Sequence, residues 1–243
     1  MTKDIIILAA GIGSRLRPLT DNVPKTMVKV NGEAIIERLL NQIERVESLR
    51  VHVKIASGYK SEVLKNFVEK LNINLSIEFI ENVDFDTTNN MYSLHLVLKA
   101  LKEDNDIIII NADCFYEDSI VEDIMLSSGN HIAIDKTNFS EESMKVMTTN
   151  EGRIIGMSKG FEEDSNNFVS IDIYGFDVNY KNKIFNISST IINNGDLNSW
   201  TEVAIDVLAK DNRSNIRFLD MTGKKWMEID NHEDLRKAEE IFR

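Results

Sequence analysis

Up to about residue 135 the chain repeats one pattern, a short apolar run followed by an amphipathic stretch, and few architectures accommodate that order. Residues 5–9, 51–56, 75–80 and 107–110 read as strands, the first and last being unbroken apolar runs of the kind buried on both faces of a sheet. Residues 34–46, 61–71, 91–101 and 118–126 carry apolar side chains at helical spacing. Strand and helix in alternation predict an α/β fold: a Rossmann-like, mostly parallel mixed sheet covered by helices, with right-handed crossovers. Sheets of this kind take ligands beyond the carboxyl ends of their strands, so the loops after those runs are where chemistry is expected.

The remainder reads differently. Residues 145–148, 153–157 and 169–176 are short, alternating and separated by Asn, Gly and acidic residues, which predicts a small antiparallel part. Helices are expected over 181–192 and 199–210, strands near 217–221 and 226–229, and a last helix from the N-cap Asn231 to Phe242. No linker, repeat or low-complexity tract interrupts the sequence, so a single domain over 1–243 is expected, with halves 1–135 and 136–243.

Charge narrows the function. Forty Asp and Glu against 28 Lys and Arg leave a net charge of −12, which disfavours a nucleic-acid partner and requires any phosphate chemistry to be local or metal-assisted. No apolar run approaches the ~20 residues of a membrane span, and the N-terminal apolar run is too short for a signal peptide. One cysteine, Cys114, forms neither an intrachain disulfide nor a thiolate metal site by itself. The expected location is cytoplasmic, with no membrane partner.

The most informative loop follows the first strand: Leu8, Ala9, Ala10, Gly11, Ile12, Gly13, Ser14, Arg15, Leu16, Arg17, Pro18, Leu19, Thr20, and then Lys25. Small residues there let backbone amides approach a ligand and cradle an anion. Arg15 and Lys25 add positive charge for a polyphosphate. Leu16 stands where a dinucleotide fingerprint has its third glycine, and no Gly-Lys-Ser/Thr ending marks a P-loop. Asp113, after the fourth apolar run, and Asp230, before the last helix, are hard oxygen ligands at the ends of elements. Helix capping is the simpler role for either.

The run from Leu8 to Lys25 resembles the signature of the nucleotidyltransferase family that joins nucleoside triphosphates to phosphorylated acceptors, Leu-Ala-Ala-Gly-x-Gly-x-Arg-Leu-x-Pro-Leu-Thr then Pro-Lys. The resemblance implies the nucleotide-diphospho-sugar transferase type of fold, with residues 1–135 binding nucleotide and 136–243 the acceptor. It implies that Leu8, Ala9, Ala10, Gly11 and Gly13 hold the nucleoside, that Arg15 and Lys25 act catalytically on the phosphates with Asp113, and that Asp113 and Asp230 share Mg²⁺. Asn89, Asn90, Met91, Tyr92, Ser93 and Leu94 are similar to the Asn-Asn-x-Tyr-Ser-Leu segment of the bacterial phosphocholine cytidylyltransferase-like subgroup. That implies CTP as donor, with Asn89, Asn90 and Ser93 at the nucleotide, and modification of capsule or surface polysaccharide as the setting. Homodimerisation is the family habit. None of His52, His95, His131 and His232 is assigned a role.

For the acceptor, the subgroup's lysine positions imply Lys145 and Lys159 facing its phosphate, with Trp200 and Glu202 nearby. Met144 and Ser199 stand where the cage tryptophan and tyrosine of a choline site are expected, which argues against choline. A phosphorylated amino alcohol, a phosphonate or an amino acid amide phosphate such as glutamine phosphate fits better, with Glu202 and Asn198 on its amino or amide group. The alternatives are a sugar-1-phosphate nucleotidyltransferase using UTP, dTTP or CTP, and a catalytically silent nucleotide-binding module that regulates a partner.

Overall fold

The computed structural model describes residues 2–243. Its first half contains β1 (Thr2–Ala9), β2 (Lys29–Val30), β3 (Glu33–Ala34), α1 (Ile35–Glu44), β4 (Arg50–Ser57), α2 (Ser61–Val68), β5 (Ser76–Glu81), α3 (Asn90–Ala100), β6 (Asp106–Asn111), β7 (Cys114–Tyr116), α4 (Asp118–Leu126) and β8 (His131–Asp135). There follow β9 (Lys145–Thr148), β10 (Ile154–Ser158), β11 (Asn167–Phe176), α5 (Val178–Asn193), α6 (Thr201–Ala209), β12 (Arg217–Asp220), β13 (Trp226–Glu228) and α7 (His232–Ile241).

The four strands read from apolar runs lie side by side in the order β5, β4, β1, β6, all parallel. From β1 the chain builds outward through β4 to β5, then returns to add β6 on the other side of β1. This reversal opens a crevice at the carboxyl ends of β1 and β6, the place where such sheets take ligands. β11 continues the sheet antiparallel to β6 and also pairs with β8 and β9. β10 and β12 complete nine strands, so the sheet is mixed.

Alternation along the central strands sorts the core. Ile5, Ile7, Ile108 and Ile110 pack with Leu39, Leu40, Ile120 and Ile124 of α1 and α4. Ile6, Leu8, Ile107 and Ile109 face the other way, onto Leu94, Ile184 and Ile205 of α3, α5 and α6. Each face thus needs its own helices, which explains why a continuous apolar run marks a strand covered on both sides. A third cluster joins Leu16 and Val28 of the glycine loop region to Phe115, Ile229 and Leu235, so α7 anchors that loop.

Two details go beyond the expectations. Residues 226–229 do form a strand, but it lies outside the main sheet: β13 pairs only with β7, antiparallel, with Glu228 opposite Cys114. β7 and β8 were not foreseen, since three residues are too few to show a period and 131–135 follows a helix that already satisfied the alternation. Among the described residues no helix is long and apolar enough to cross a membrane.

His131 of β8 is buried, its ring lies over Gly175, where an added β-carbon would come within 2.3 Å, and its Nε2 contacts Ser127 Oγ at 2.8 Å. Burial, reinforced by the Lys3 ammonium, lowers its pKa to about 4. A depressed histidine contributes its full stability above its unfolded value of about 6.5 and loses it as the pH falls toward the folded value. Between pH 7 and 5 urea unfolding should therefore show a component of ~1.4 kcal/mol per pH unit below about 6.5. His131→Gln should flatten that slope, and an unchanged slope would show that the ring is not held neutral.

Candidate active site

Register brings the carboxyl ends of the parallel strands to one edge: Ala9 pairs with Ser57, Ser57 with Glu81, and Leu8 with Asn111. Beyond that edge lies a cleft of about 290 Å³. Its floor is the glycine loop. Ala10 is held by Tyr59, whose backbone N–H donates to the Ala10 carbonyl at 3.2 Å. Gly11 has no neighbour within 4 Å of where a β-carbon would stand, so its backbone is open to the cleft. Gly13 has φ +68°, and a β-carbon there would lie 2.9 Å from that of Lys25. Only glycine satisfies both the left-handed backbone and that close approach. A short 3-10 turn over Ser14–Leu16 buries Leu16 and turns the Arg15 side chain outward.

The opposite wall is polar and uncharged. Asn82, just past β5, donates from Nδ2 to Thr88 Oγ1 at 2.9 Å and to Ser93 Oγ at 3.0 Å. Asn89 is the N-cap of α3, its Oδ1 accepting from Asn90 N–H at 2.8 Å. Asn90 Oδ1 accepts from Thr201 N–H at 2.8 Å, which ties α3 to the start of α6. Asn82, Asn89, Asn90 and Ser93 all line the cleft together with Phe85 and Thr88.

Between these walls stands a charge cluster. Lys25 Nζ donates to Asp113 Oδ2 at 2.9 Å and to Asp230 Oδ1 at 2.6 Å, and Arg15 Nη2 lies 2.8 Å from Asp230 Oδ2. Burial opposes the charge on Lys25, but the two carboxylates outweigh it and hold the ammonium protonated well above the usual lysine range. Burial likewise opposes the charge on Asp230, and Lys25 with Arg15 keeps its pKa low. The pairing of β7 with β13, extended by the Ile229 N–H donating to the Asp113 carbonyl at 2.9 Å, places the two aspartates together. Carboxylate oxygens of Asp113, Glu228 and Asp230 lie within 4.8 Å of one another. Such a hard, all-oxygen set suits Mg²⁺.

Behind Asp113 the acids continue. Tyr174 Oη is 2.7 Å from Glu202 Oε1 and 3.0 Å from Asp172 Oδ1. A phenol has one hydrogen, so one of those two carboxyls must supply a proton of its own. Burial first, then the neighbouring acids, pushes Asp172 up, and burial does the same for Glu202. Burial with Asp113 and Asp230 raises Glu228 to about 8. Asp172 takes φ +61° where β11 shifts register between Ser170 and Tyr174. That conformation is strained for a non-glycine residue, and the bulge turns this strand toward the cluster.

Of the expected nucleotide and metal positions, Leu8, Ala10, Gly11, Gly13, Arg15, Lys25, Asn89, Asn90, Ser93, Asp113 and Asp230 border one cleft, while the Ala9 side chain is in the core. The acceptor expectations fare differently. Lys145 is 2% exposed, and its ammonium donates to the carbonyls of Glu141 and Lys159 at 2.9 and 2.8 Å. These hydrogen bonds hold its ammonium to the backbone, and it shares with Lys159 the lining of a separate cavity beside Phe139 and Phe161. The Lys159 ammonium instead lies 5.0 Å from the ring centre of the half-exposed Trp200. Glu202 is buried behind Asn111, whose Nδ2 reaches its Oε1 at 3.4 Å. Asn198 is exposed at the surface.

A second cavity, of about 770 Å³, meets the cleft at Arg15 and Asp230 and is lined by Phe139, Glu142, Trp226 and Glu228 among others. The sequence reading missed it, and it missed Asn82, Phe85, Asn111, Asp172 and Tyr174. Asn82 and Asn111 directly follow or end parallel strands, and the carboxyl-end rule applied residue by residue would have found both. Asp172 and Tyr174 sit inside a strand and carry no comparable signal.

Known proteins resemble this chain in sequence and in fold. Residues 4–242 match the Nucleotidyl transferase family. The chain is 31% identical over 237 residues to the bifunctional protein GlmU of Methanococcus aeolicus, covering 97% of this chain and 53% of that protein. It is 36% identical over 138 residues to the CTP:phosphoglutamine cytidylyltransferase of Campylobacter jejuni, covering 54% of this chain and 52% of that one. The chain thus spans about half the length of both relatives where they align. The solved CTP:phosphocholine cytidylyltransferase LicC of Streptococcus pneumoniae shares the fold at a TM-score of 0.81 and 22% identity, with both chains fully covered. With the family match running over nearly its whole length, this chain belongs to the nucleotidyl transferase family of enzymes.

Proposed function

We propose that the chain transfers CMP from CTP to a phosphorylated small molecule, forming a CDP-linked product and pyrophosphate. The observation that carries this reading is the convergence of Arg15, Lys25, Asp113 and Asp230 at the mouth of a cleft whose far wall is made of amides and hydroxyls. Two similar proteins, named for phosphoglutamine and phosphocholine, use CTP, which favours cytidine over other bases.

In this reading the base lies against Asn82, Asn89, Asn90 and Ser93 and the triphosphate runs over the open amides near Gly11. Arg15 and Lys25 grip the phosphate oxygens, and the acceptor phosphate attacks the α-phosphorus in line with the departing pyrophosphate. Catalysis is then mainly positioning and charge neutralisation. Asp113 and Asp230, with Glu228 adjacent, would hold Mg²⁺, which supplies further neutralisation of phosphate charge when bound.

The acceptor enters from the cavity that meets the cleft at Arg15 and Asp230. Glu142 and Glu228 with the rings of Phe139 and Trp226 suit an amino or amide end, in keeping with the acceptor of the phosphoglutamine relative. A second reading, a sugar-1-phosphate acceptor with UTP or dTTP, draws on the similarity to GlmU.

Pyrophosphate release with each NTP and a panel of phosphocholine, phosphoethanolamine, glutamine phosphate and glucose 1-phosphate separates these readings. CTP should exceed UTP by about 10- to 100-fold, since a mispaired buried polar group costs ~1–3 kcal/mol. The amino or amide acceptors should lead. Preference for UTP or dTTP with glucose 1-phosphate would move the chain to the sugar-nucleotide branch, and silence with all NTPs would make it a binding module. Asp113→Asn should lower turnover by several orders of magnitude with the fold intact, and near-normal turnover would remove Asp113 from the metal site. Asn82→Ala leaves Thr88 and Ser93 without their donor and should cost ~1–3 kcal/mol in urea unfolding while raising the KM for CTP. A change in stability with the KM unmoved would make Asn82 purely structural.

A further inference from the structure

Both carboxylate oxygens of Asp230 already face cations: Oδ1 accepts from Lys25 at 2.6 Å and Oδ2 from Arg15 at 2.8 Å. On Asp113, Oδ2 accepts from Lys25 at 2.9 Å, and Oδ1 faces only the Cys114 thiol, a weak donor 3.9 Å away. The base of the Lys25 side chain is fixed, which keeps its ammonium within reach of the cluster. Its backbone starts a 3-10 turn after Pro24, its β-carbon packs against Gly13, and its side chain is 13% exposed. Further ionisable groups surround the aspartates: Glu228, Asp172 and Glu202, the Cys114 thiol, Asp234, which accepts from the Asp230 N–H at 3.0 Å, and Lys159 on the Glu228 side; among the described residues none of these forms an ion pair with Lys25 or Arg15.

We infer that Lys25 is the chain's own counter-ion for Asp113 and Asp230, and that its ammonium and a divalent cation exclude one another there, so that metal enters only together with a triphosphate. The inference rests on the reading above that these aspartates hold Mg²⁺. The physical argument is balance. Two carboxylates and two side-chain cations cancel, and a divalent ion added to them meets like charge and oxygens already engaged. A triphosphate changes this by offering Lys25 and Arg15 anionic oxygens of its own, and Arg15 has the planar fork suited to them. As the cations turn to the phosphates, the aspartate oxygens become available to metal. Lys25 therefore has two partners in sequence, and the metal site is completed by the nucleotide.

The test is Mn²⁺ binding to the purified protein without nucleotide, read from the electron paramagnetic resonance signal of free Mn²⁺, for wild type, Lys25→Met, Lys25→Gln and Lys25→Arg. The two neutral variants should bind one Mn²⁺ at least about tenfold more tightly than wild type. Lys25→Arg should resemble wild type, and adding Asp230→Asn to Lys25→Met should abolish the gain. Equal and tight nucleotide-free binding by wild type and neutral variants would overturn the counter-ion role while leaving the metal assignment intact. Absence of Mn²⁺ binding by every variant, with or without a non-hydrolysable methylene analogue of CTP, would overturn both. Thermal melting of the wild type decides the matter even where the neutral variants do not fold. Mn²⁺ alone should leave its midpoint unchanged, and Mn²⁺ with the analogue should raise it beyond the analogue alone. A midpoint raised equally by Mn²⁺ alone would refute the inference.

Discussion

One ammonium group holds together three parts of the chain that are far apart in sequence. Lys25 belongs to the loop region after β1, Asp113 follows β6 and Asp230 precedes α7, and they meet within hydrogen-bonding distance. Nothing local could bring this about. It requires β1 and β6 to be neighbours, β7 and β13 to pair, and α7 to pack through Leu235 on Leu16 and Ile229. Removing any of these leaves a charge partly buried without its partner, which is far costlier than the net gain from making the pair. The fold and the site are thus conditions of one another, with the fold setting the positions and the charge cluster penalising any other arrangement.

The acids behind this centre illustrate a different constraint. Asp113, Asp172, Glu202 and Glu228 would repel one another if all were ionised, and in a buried setting the repulsion is relieved by protonation. The contacts around Tyr174 require one such proton on Asp172 or Glu202. Asp172 stands among these acids with a left-handed backbone, φ +61°, at the register shift of β11.

How far the sequence could be read follows from what periodicity records. β1 and β6 were legible because strands covered on both faces leave unbroken apolar runs, β4 and β5 from shorter apolar stretches in the same alternating order, and the helix over Asp118–Leu126 was legible to the residue. The glycine loop was legible because backbone approach restricts residue type. The surroundings of the acceptor lysines were not legible: the Lys145 ammonium bonds carbonyls and that of Lys159 lies on Trp200. Whether a lysine is a ligand or a strut depends on what its ammonium meets, and that is settled by tertiary packing. The same holds for the paired asparagines. Asn89 caps α3, while its neighbour Asn90 reaches across to α6.

The asparagine that the sequence reading passed over has the better-determined chemistry. Amide oxygen and nitrogen are interchangeable in shape, so orientation must come from partners. Around Asn82 the partners leave no choice. Thr88 Oγ1 donates to the Asp84 carbonyl at 2.8 Å and can only accept from Asn82, while the Asp84 N–H at 3.0 Å can only donate to it. The nitrogen therefore faces Thr88 and Ser93, and the oxygen faces Asp84. With both amide hydrogens engaged, Asn82 has only acceptor capacity left at its oxygen. Ser93, which accepts from Asn82, retains its own hydrogen. Under the proposed CTP reading, one fixed acceptor and one hydroxyl donor would match a ring that has an amino group next to a ring nitrogen acceptor, as cytosine has. Uracil offers the opposite pair, so turning the Asn82 amide to suit it would break contacts with Thr88, Ser93 and Asp84 together.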